Sequence, residues 1–131
     1  MIDHPNITLM RKVYDAFGIG DVNTAGSYWT EDAVHHYPGN NPLSGDHKGL
    51  AAATEFATKM FELTGGNLKM DVTEIGASDN HAFALLHTRY ERKGHVLEMP
   101  FVNVARIVDG KIAEFWTYPD DVYATDEFWN R

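Results

Sequence analysis

Apolar positions along this chain recur first at helical spacing and then in alternation. Leu9, Met10, Val13, Ala16 and Phe17 share one helix face, which predicts a first helix. Asp3 is the expected N-cap, Pro5 lies in the first turn, and Gly18 and Gly20 form the stop. A short second helix is expected from about Asp21 to Tyr28 or Trp29. Ala33 to Tyr37 reads as a strand, closed by the turn-forming run Pro38-Gly39-Asn40-Asn41-Pro42. Helical spacing returns from about Asp46 to Thr64, where Leu50, Ala53, Phe56, Ala57, Met60 and Phe61 form one face and Gly65-Gly66 ends it. Four strands follow: Leu68 to Ala77, His81 to Arg92, His95 to Val108 and Lys111 to Tyr118. Ser78-Asp79-Asn80, Lys93-Gly94 and Asp109-Gly110 separate them as turns. Asp121 to Trp129 is amphipathic and short enough for one last helix.

Helices followed by an antiparallel meander specify an α+β class, with helices on one face of the sheet. The strands carry apolar residues on both faces: Phe101, Asn103, Ala105 and Ile107 oppose Val102 and Val104, and Phe83 and Leu85 oppose Ala84 and Leu86. A sheet apolar on both faces needs two covers. Helices supply one, and a second copy of the chain is the expected other, giving a homodimer through the outer face of the sheet.

A length of 131 residues allows one core, so 1–131 reads as a single domain. The absence of cysteine removes disulfides, thiolate metal sites and cysteine nucleophiles. The opening residues show no basic region followed by an apolar run, and no stretch approaches a membrane span; a cytoplasmic location is expected. With a net charge of −8 and scattered Lys and Arg, neither nucleic acid nor an anionic membrane is an expected partner.

The order of these elements, with Gly20-Asp21, then Tyr28-Trp29-Thr30-Glu31-Asp32-Ala33, and finally Arg106 to Trp116 (RIVDGKIAEFW), resembles the nuclear transport factor 2-like superfamily. The similarity is greatest to its SnoaL-like and ketosteroid isomerase-like branches. It implies a cystatin-like cone: a curved antiparallel sheet wrapped around helices, with about three to four helices and five to six strands. It also implies an apolar cavity for a small hydrophobic molecule. Members of that superfamily include isomerases, cyclases, hydrolases and proteins that catalyse nothing, so the site has to be argued residue by residue.

Matched onto ketosteroid isomerases, the general-base Asp falls on Tyr37, the oxyanion donor on Asn103 and the helix-one Tyr on Val13, beside Tyr14. Steroid isomerisation by that route is therefore not expected. Asn103 is a polar residue in an apolar strand, suited either to a ligand oxygen or to a buried neighbour. His35 and His36 point to opposite faces of one strand. Similarity to SnoaL-like sequences favours His36 in the cavity, whereas simple alternation places His35 beside Tyr37. Asp120, in Trp116-Thr117-Tyr118-Pro119-Asp120, resembles the acid/base Asp of SnoaL-like cyclases; a helix cap is its plain alternative. Arg89, Asn103 and Tyr37 faintly echo the epoxide hydrolases of the superfamily, without their Asp pair.

The candidate catalytic set is thus His36, Tyr37, Asn103 and Asp120, with Tyr14, Phe17, Trp29, Phe56, Met60, Met99, Phe101 and Trp116 as ligand contacts. No metal site or cofactor is expected: the histidines lack ligand spacing, and no phosphate loop or dinucleotide fingerprint occurs. The function these residues suggest is acid/base chemistry on a carbonyl- or hydroxyl-bearing molecule. The alternative is a binding protein that holds the same molecule unchanged.

Overall fold

The computed structural model describes residues 3–131. Its elements run α1 (Pro5–Gly18), α2 (Val22–Gly26), β1 (Trp29–Tyr37), β2 (Gly45–Lys48), α3 (Leu50–Thr64), β3 (Leu68–Ala77), β4 (His81–Arg92), β5 (His95–Val108), β6 (Lys111–Pro119) and α4 (Val122–Asn130). The six strands form one curved, unclosed sheet in the order β2-β1-β6-β5-β4-β3. All neighbours pair antiparallel except β1 and β6, which run parallel, so the expected antiparallel sheet is a mixed one.

The turns between long strands follow their sequences closely. Lys93-Gly94 and Asp109-Gly110 hold positive φ at both positions (51° and 77°, 49° and 75°), the two-residue geometry whose twist matches the flanking strands. Asp109 and Lys93 accept the left-handed region there because the hairpin demands it.

Boundaries moved where local hydrogen bonding outweighed the apolar pattern. The N-cap of α1 is His4, not Asp3: its Nδ1 accepts from the Asn6 amide at 3.1 Å. Asp21 caps α2, which ends at Gly26, so Trp29 already belongs to β1. The segment read as the start of α3 is instead β2, an edge strand whose residues Gly45 to Lys48 pair with Tyr37 to Val34. A four-residue polar strand carries no apolar alternation, and only its partner reveals it. Asp121 caps α4, its side chain accepting from Ala124 N at 3.0 Å.

The concave face of the sheet carries the core. Ala82, Ala84 and Leu86 on β4, and Phe101, Ala105 and Ile107 on β5, pack with Met10 and Val13 of α1 and with Phe56 and Met60 of α3. α4 closes one end, where Trp129 and Phe128 pack against Tyr90. The loop after β1 is fastened to α4 by Asp126, which accepts from Asn40 N and Asn41 Nδ2 at 2.8 and 2.7 Å. Gly39 approaches the same carboxylate at a φ of 90°, and a Cβ there would collide with it. No helix among the described residues is long and apolar enough to cross a membrane.

Candidate functional site

Between α1, α2, α3 and the concave sheet lies a hollow of about 740 Å³ of atom-free space, mouth included. Its apolar wall comes from Val13 and Phe17 of α1, Val22 and Ala25 of α2, Leu50, Ala53, Phe56 and Met60 of α3, with Trp29, Met70, Phe101 and Phe115 from the strands. Such a lining, with few polar groups, is the usual form of a small-molecule site.

The polar groups that interrupt it are arranged in a row. Asn103 on β5 lies directly opposite Thr117 on β6, both facing inward and buried. On one side Asn103 Nδ2 donates to the Tyr14 hydroxyl at 2.9 Å. On the other, Thr117 Oγ1 bonds to His35 Nε2 on β1 at 3.0 Å. α1, β5, β6 and β1 thus each contribute one member of a strip of neutral hydrogen-bonding groups. Asn103 Oδ1 is buried without a partner, which costs free energy unless something satisfies it.

None of these groups is ionised at neutral pH. Burial is the main cause that pushes His35 down to about 3, helped by the nearby His47 and His36, so its imidazole is neutral. Burial pushes the Tyr14 hydroxyl up, against the opposing effect of its bond from Asn103. Tyr37 is raised by burial likewise, although the Trp129 indole N–H donating to it at 3.0 Å pulls the other way. The cavity therefore offers donors and acceptors without charge.

The residues expected to act together separate into two groups. Tyr37, Asn103, Tyr14, Phe17, Trp29, Phe56, Met60 and Phe101 all line the cavity. His36, Asp120, Trp116 and Met99 do not. His36 points to the outer face, where Nδ1 meets Asp46 at 2.6 Å, Nε2 meets Glu114 at 2.5 Å, and the ring stacks on Trp116 at 5.3 Å. Alternation decides the histidine question in favour of His35, because the irregularity in the β1–β6 register falls between Trp29 and Val34, upstream of the pair. Asp120 is exposed beyond the end of β6, its backbone N–H bonded to Pro100 O at 3.1 Å. The chain turns outward there to enter α4. Met99 packs beneath α4, with its sulfur 3.4 Å from the amide of Asp121.

Thr117, Met70, Tyr90 and Phe115 line the cavity without having stood out in the sequence. Alternation along β6 contained part of the signal, since Phe115 and Thr117 share a face that the Trp116 side chain cannot share. Among the described residues no cluster of three or more His, Asp or Glu side chains is placed to hold a metal ion.

Comparison with known proteins agrees with this architecture. Residues 10–115 match the model of the SnoaL-like domain family. A protein from a soil-derived mobile gene cassette superposes with a TM-score of 0.92 at 30% identity, covering 96% of this chain and 97% of that one. A protein of unknown function with a cystatin-like fold from Xanthomonas campestris gives 0.89 at 31% identity, covering 95% and 98%. TerC, co-crystallised with polyporic acid, shares the fold at a TM-score of 0.84 and 22% identity, covering 95% and 97%. By its sequence match this chain belongs to the SnoaL-like domain family, and its cone of curved sheet and helices is the cystatin-like fold of the Xanthomonas campestris protein.

Proposed function

We propose that the cavity takes up a small, uncharged, largely apolar molecule and grips one carbonyl or hydroxyl oxygen of it through the Tyr14–Asn103 and Thr117–His35 pairs, without a cofactor. The observation that carries this reading is the strip itself: neutral polar side chains from separate elements, bonded in pairs, facing a wall that is otherwise apolar. Neutral dipoles fixed in a dry site can also polarise a carbonyl, so the same strip suits binding and electrophilic assistance alike. The co-crystallisation of TerC with polyporic acid supports a ligand-holding role for a cone of this kind.

A catalytic reading keeps one specific support. His35 is a titratable group on the cavity wall, bonded to a hydroxyl that can relay a proton. In that version it takes the place of His36 and Asp120 as a neutral hydrogen-bond donor to a developing oxyanion, because a pKa of about 3 leaves it without a proton to transfer at neutral pH. The two versions part on turnover: an isomerase or cyclase converts a carbonyl substrate, whereas a binder returns it unchanged.

The experiment compares two probes of one shape, neutral 2-naphthol and anionic 2-naphthoate, by fluorescence titration. Binding of the first with rejection of the second supports an uncharged cavity. Equal affinity for both would contradict it.

The outer face of the sheet is the other unassigned surface. Phe83, Leu85, Val102 and Tyr118 are exposed there, at 46%, 39%, 37% and 54%, with Val104 and Trp116 between them. We read this face as the seat of a second copy of the chain, since adjacent apolar side chains of this number are rarely left to water.

A further inference from the structure

The carboxamide of Asn103 has a donor half and an acceptor half, and the protein uses only the donor half. Nδ2 donates to the Tyr14 hydroxyl at 2.9 Å, while Oδ1 is buried without a partner. Its neighbours on the concave face offer no relief. Ala84 lies opposite on β4, Phe101 and Ala105 flank it along β5, and Thr117 on β6 has its hydroxyl engaged with His35. The other buried side-chain oxygen without a partner, Thr88 Oγ1, does not line the cavity, whereas Asn103 does.

The same contact leaves Tyr14 with the complementary surplus. Its oxygen accepts from Asn103, and its own O–H donates to no group among the described residues. Burial pushes this hydroxyl up, so the proton stays on it at neutral pH. One bonded pair thus brings to the cavity wall an unused donor, the Tyr14 O–H, and an unused acceptor, Asn103 Oδ1. The two are close. Oδ1 is joined to Nδ2 through one carbon by bonds of about 1.2 and 1.3 Å, so it lies within about 5.5 Å of the Tyr14 oxygen. Two hydrogen bonds of about 2.8 Å each span that distance.

An unused donor and an unused acceptor in an apolar enclosure are both unfavourable, and each is relieved only by a group of the opposite kind. A ketone or ether oxygen accepts from Tyr14 and leaves Oδ1 as it was. A carboxylate does the same and sets a negative charge against the Asn103 carbonyl. A hydroxyl answers both from one atom, because its oxygen accepts from Tyr14 while its proton goes to Asn103.

We propose that the Tyr14–Asn103 pair selects a ligand hydroxyl, so that the cavity takes neutral alcohols, phenols and enols in preference to ketones, ethers and carboxylates of the same shape. This rests on the cavity being a ligand site, as argued above, and names the oxygen function its ligand carries.

The test titrates the whole protein by calorimetry with 2-tetralol and with 2-tetralone, which share one carbon skeleton and carry a hydroxyl or a carbonyl at the same position. The wild type is expected to bind the alcohol about tenfold more tightly, the effect of satisfying one buried acceptor. Asn103→Leu is expected to reduce that preference to about threefold or less. Tyr14→Phe/Asn103→Leu should lose it as well, and serves where the single variant folds poorly, because both partners of the buried bond are removed together. A ketone bound as tightly as the alcohol, or more tightly, is what an amide turned with its N–H toward the ligand would give; it overturns the hydroxyl preference and leaves the ligand site standing. A preference for the alcohol that survives in both variants overturns it too. Failure of the wild type to bind either probe overturns it together with the ligand-site reading beneath it.

Discussion

The Asn103 amide of β5 donates to the Tyr14 hydroxyl of α1 across 2.9 Å, joining the first helix to the centre of the sheet inside the cavity. Asn103 faces Thr117, and Thr117 holds His35, so the contact is one end of a continuous polar strip.

His35 should make the protein sensitive to mild acid. Its folded pKa lies at about 3 against an ordinary value of 6.5. The unfolded chain therefore binds the extra proton first, and the stability His35 contributes is complete above pH 6.5 and lost as pH falls toward 3. Between about pH 4.5 and 6.5, where exposed carboxylates remain ionised, the wild type should lose on the order of 1–3 kcal/mol. His35→Leu should flatten that slope in urea melts taken across the same range.

His36 should behave in the opposite sense. Burial lowers its pKa, but the bonds to Asp46 and Glu114 outweigh that and leave it raised. Its contribution is fully present below pH 6.5 and disappears as pH rises through the raised value. Proton NMR should show the His36 ring titrating above 6.5, and Glu114→Gln should bring that midpoint down.

The outer face should be an interface. Val102→Glu places a carboxylate among Leu85, Tyr118 and their neighbours on three adjacent strands. Sedimentation equilibrium should then report a monomer for the variant and twice that mass for the wild type. A wild type that sediments as a monomer would refute the assignment.

Gly39 should not tolerate a side chain. At a φ of 90° and against the Asp126 carboxylate, Gly39→Ala meets both backbone strain and collision. We expect a loss of roughly 1–3 kcal/mol in chemical denaturation, with part of it recovered in Gly39→Ala/Asp126→Ala.

The fold could be read from the chain because its long strands alternate cleanly and its turns use Lys93-Gly94 and Asp109-Gly110, whose chemistry is local. The site could be read only in part. Asn103 declared itself as a polar residue in an apolar strand, and Tyr37 and the aromatic wall followed from their elements. His36 was favoured by resemblance over the simple period of two, and the period proved the better guide. Asp120 could not be placed from sequence, because its position depends on how the chain leaves β6 for α4. Thr117 and Tyr90 were silent for a different reason: each is an ordinary strand residue until other strands of the sheet bring Asn103, His35 or Met70 to it. β2 was hidden in the same way, since its pairing with β1 is set by tertiary contact.

The most direct test of the central claim is a titration of 2-naphthol into the wild type, Tyr14→Phe, Asn103→Leu and the double variant. If the pair grips the ligand oxygen, each single change should weaken binding by about tenfold or more, and the double variant should lose much less than the product of the two. The double variant Tyr14→Phe/Asn103→Leu should at the same time melt close to the wild-type temperature, because both partners of the buried bond and the unpaired Asn103 carbonyl have gone together. Unaltered affinity in all three variants, or an Asn103→Leu protein that no longer folds, would contradict the account and make the Tyr14–Asn103 contact a strut of the fold.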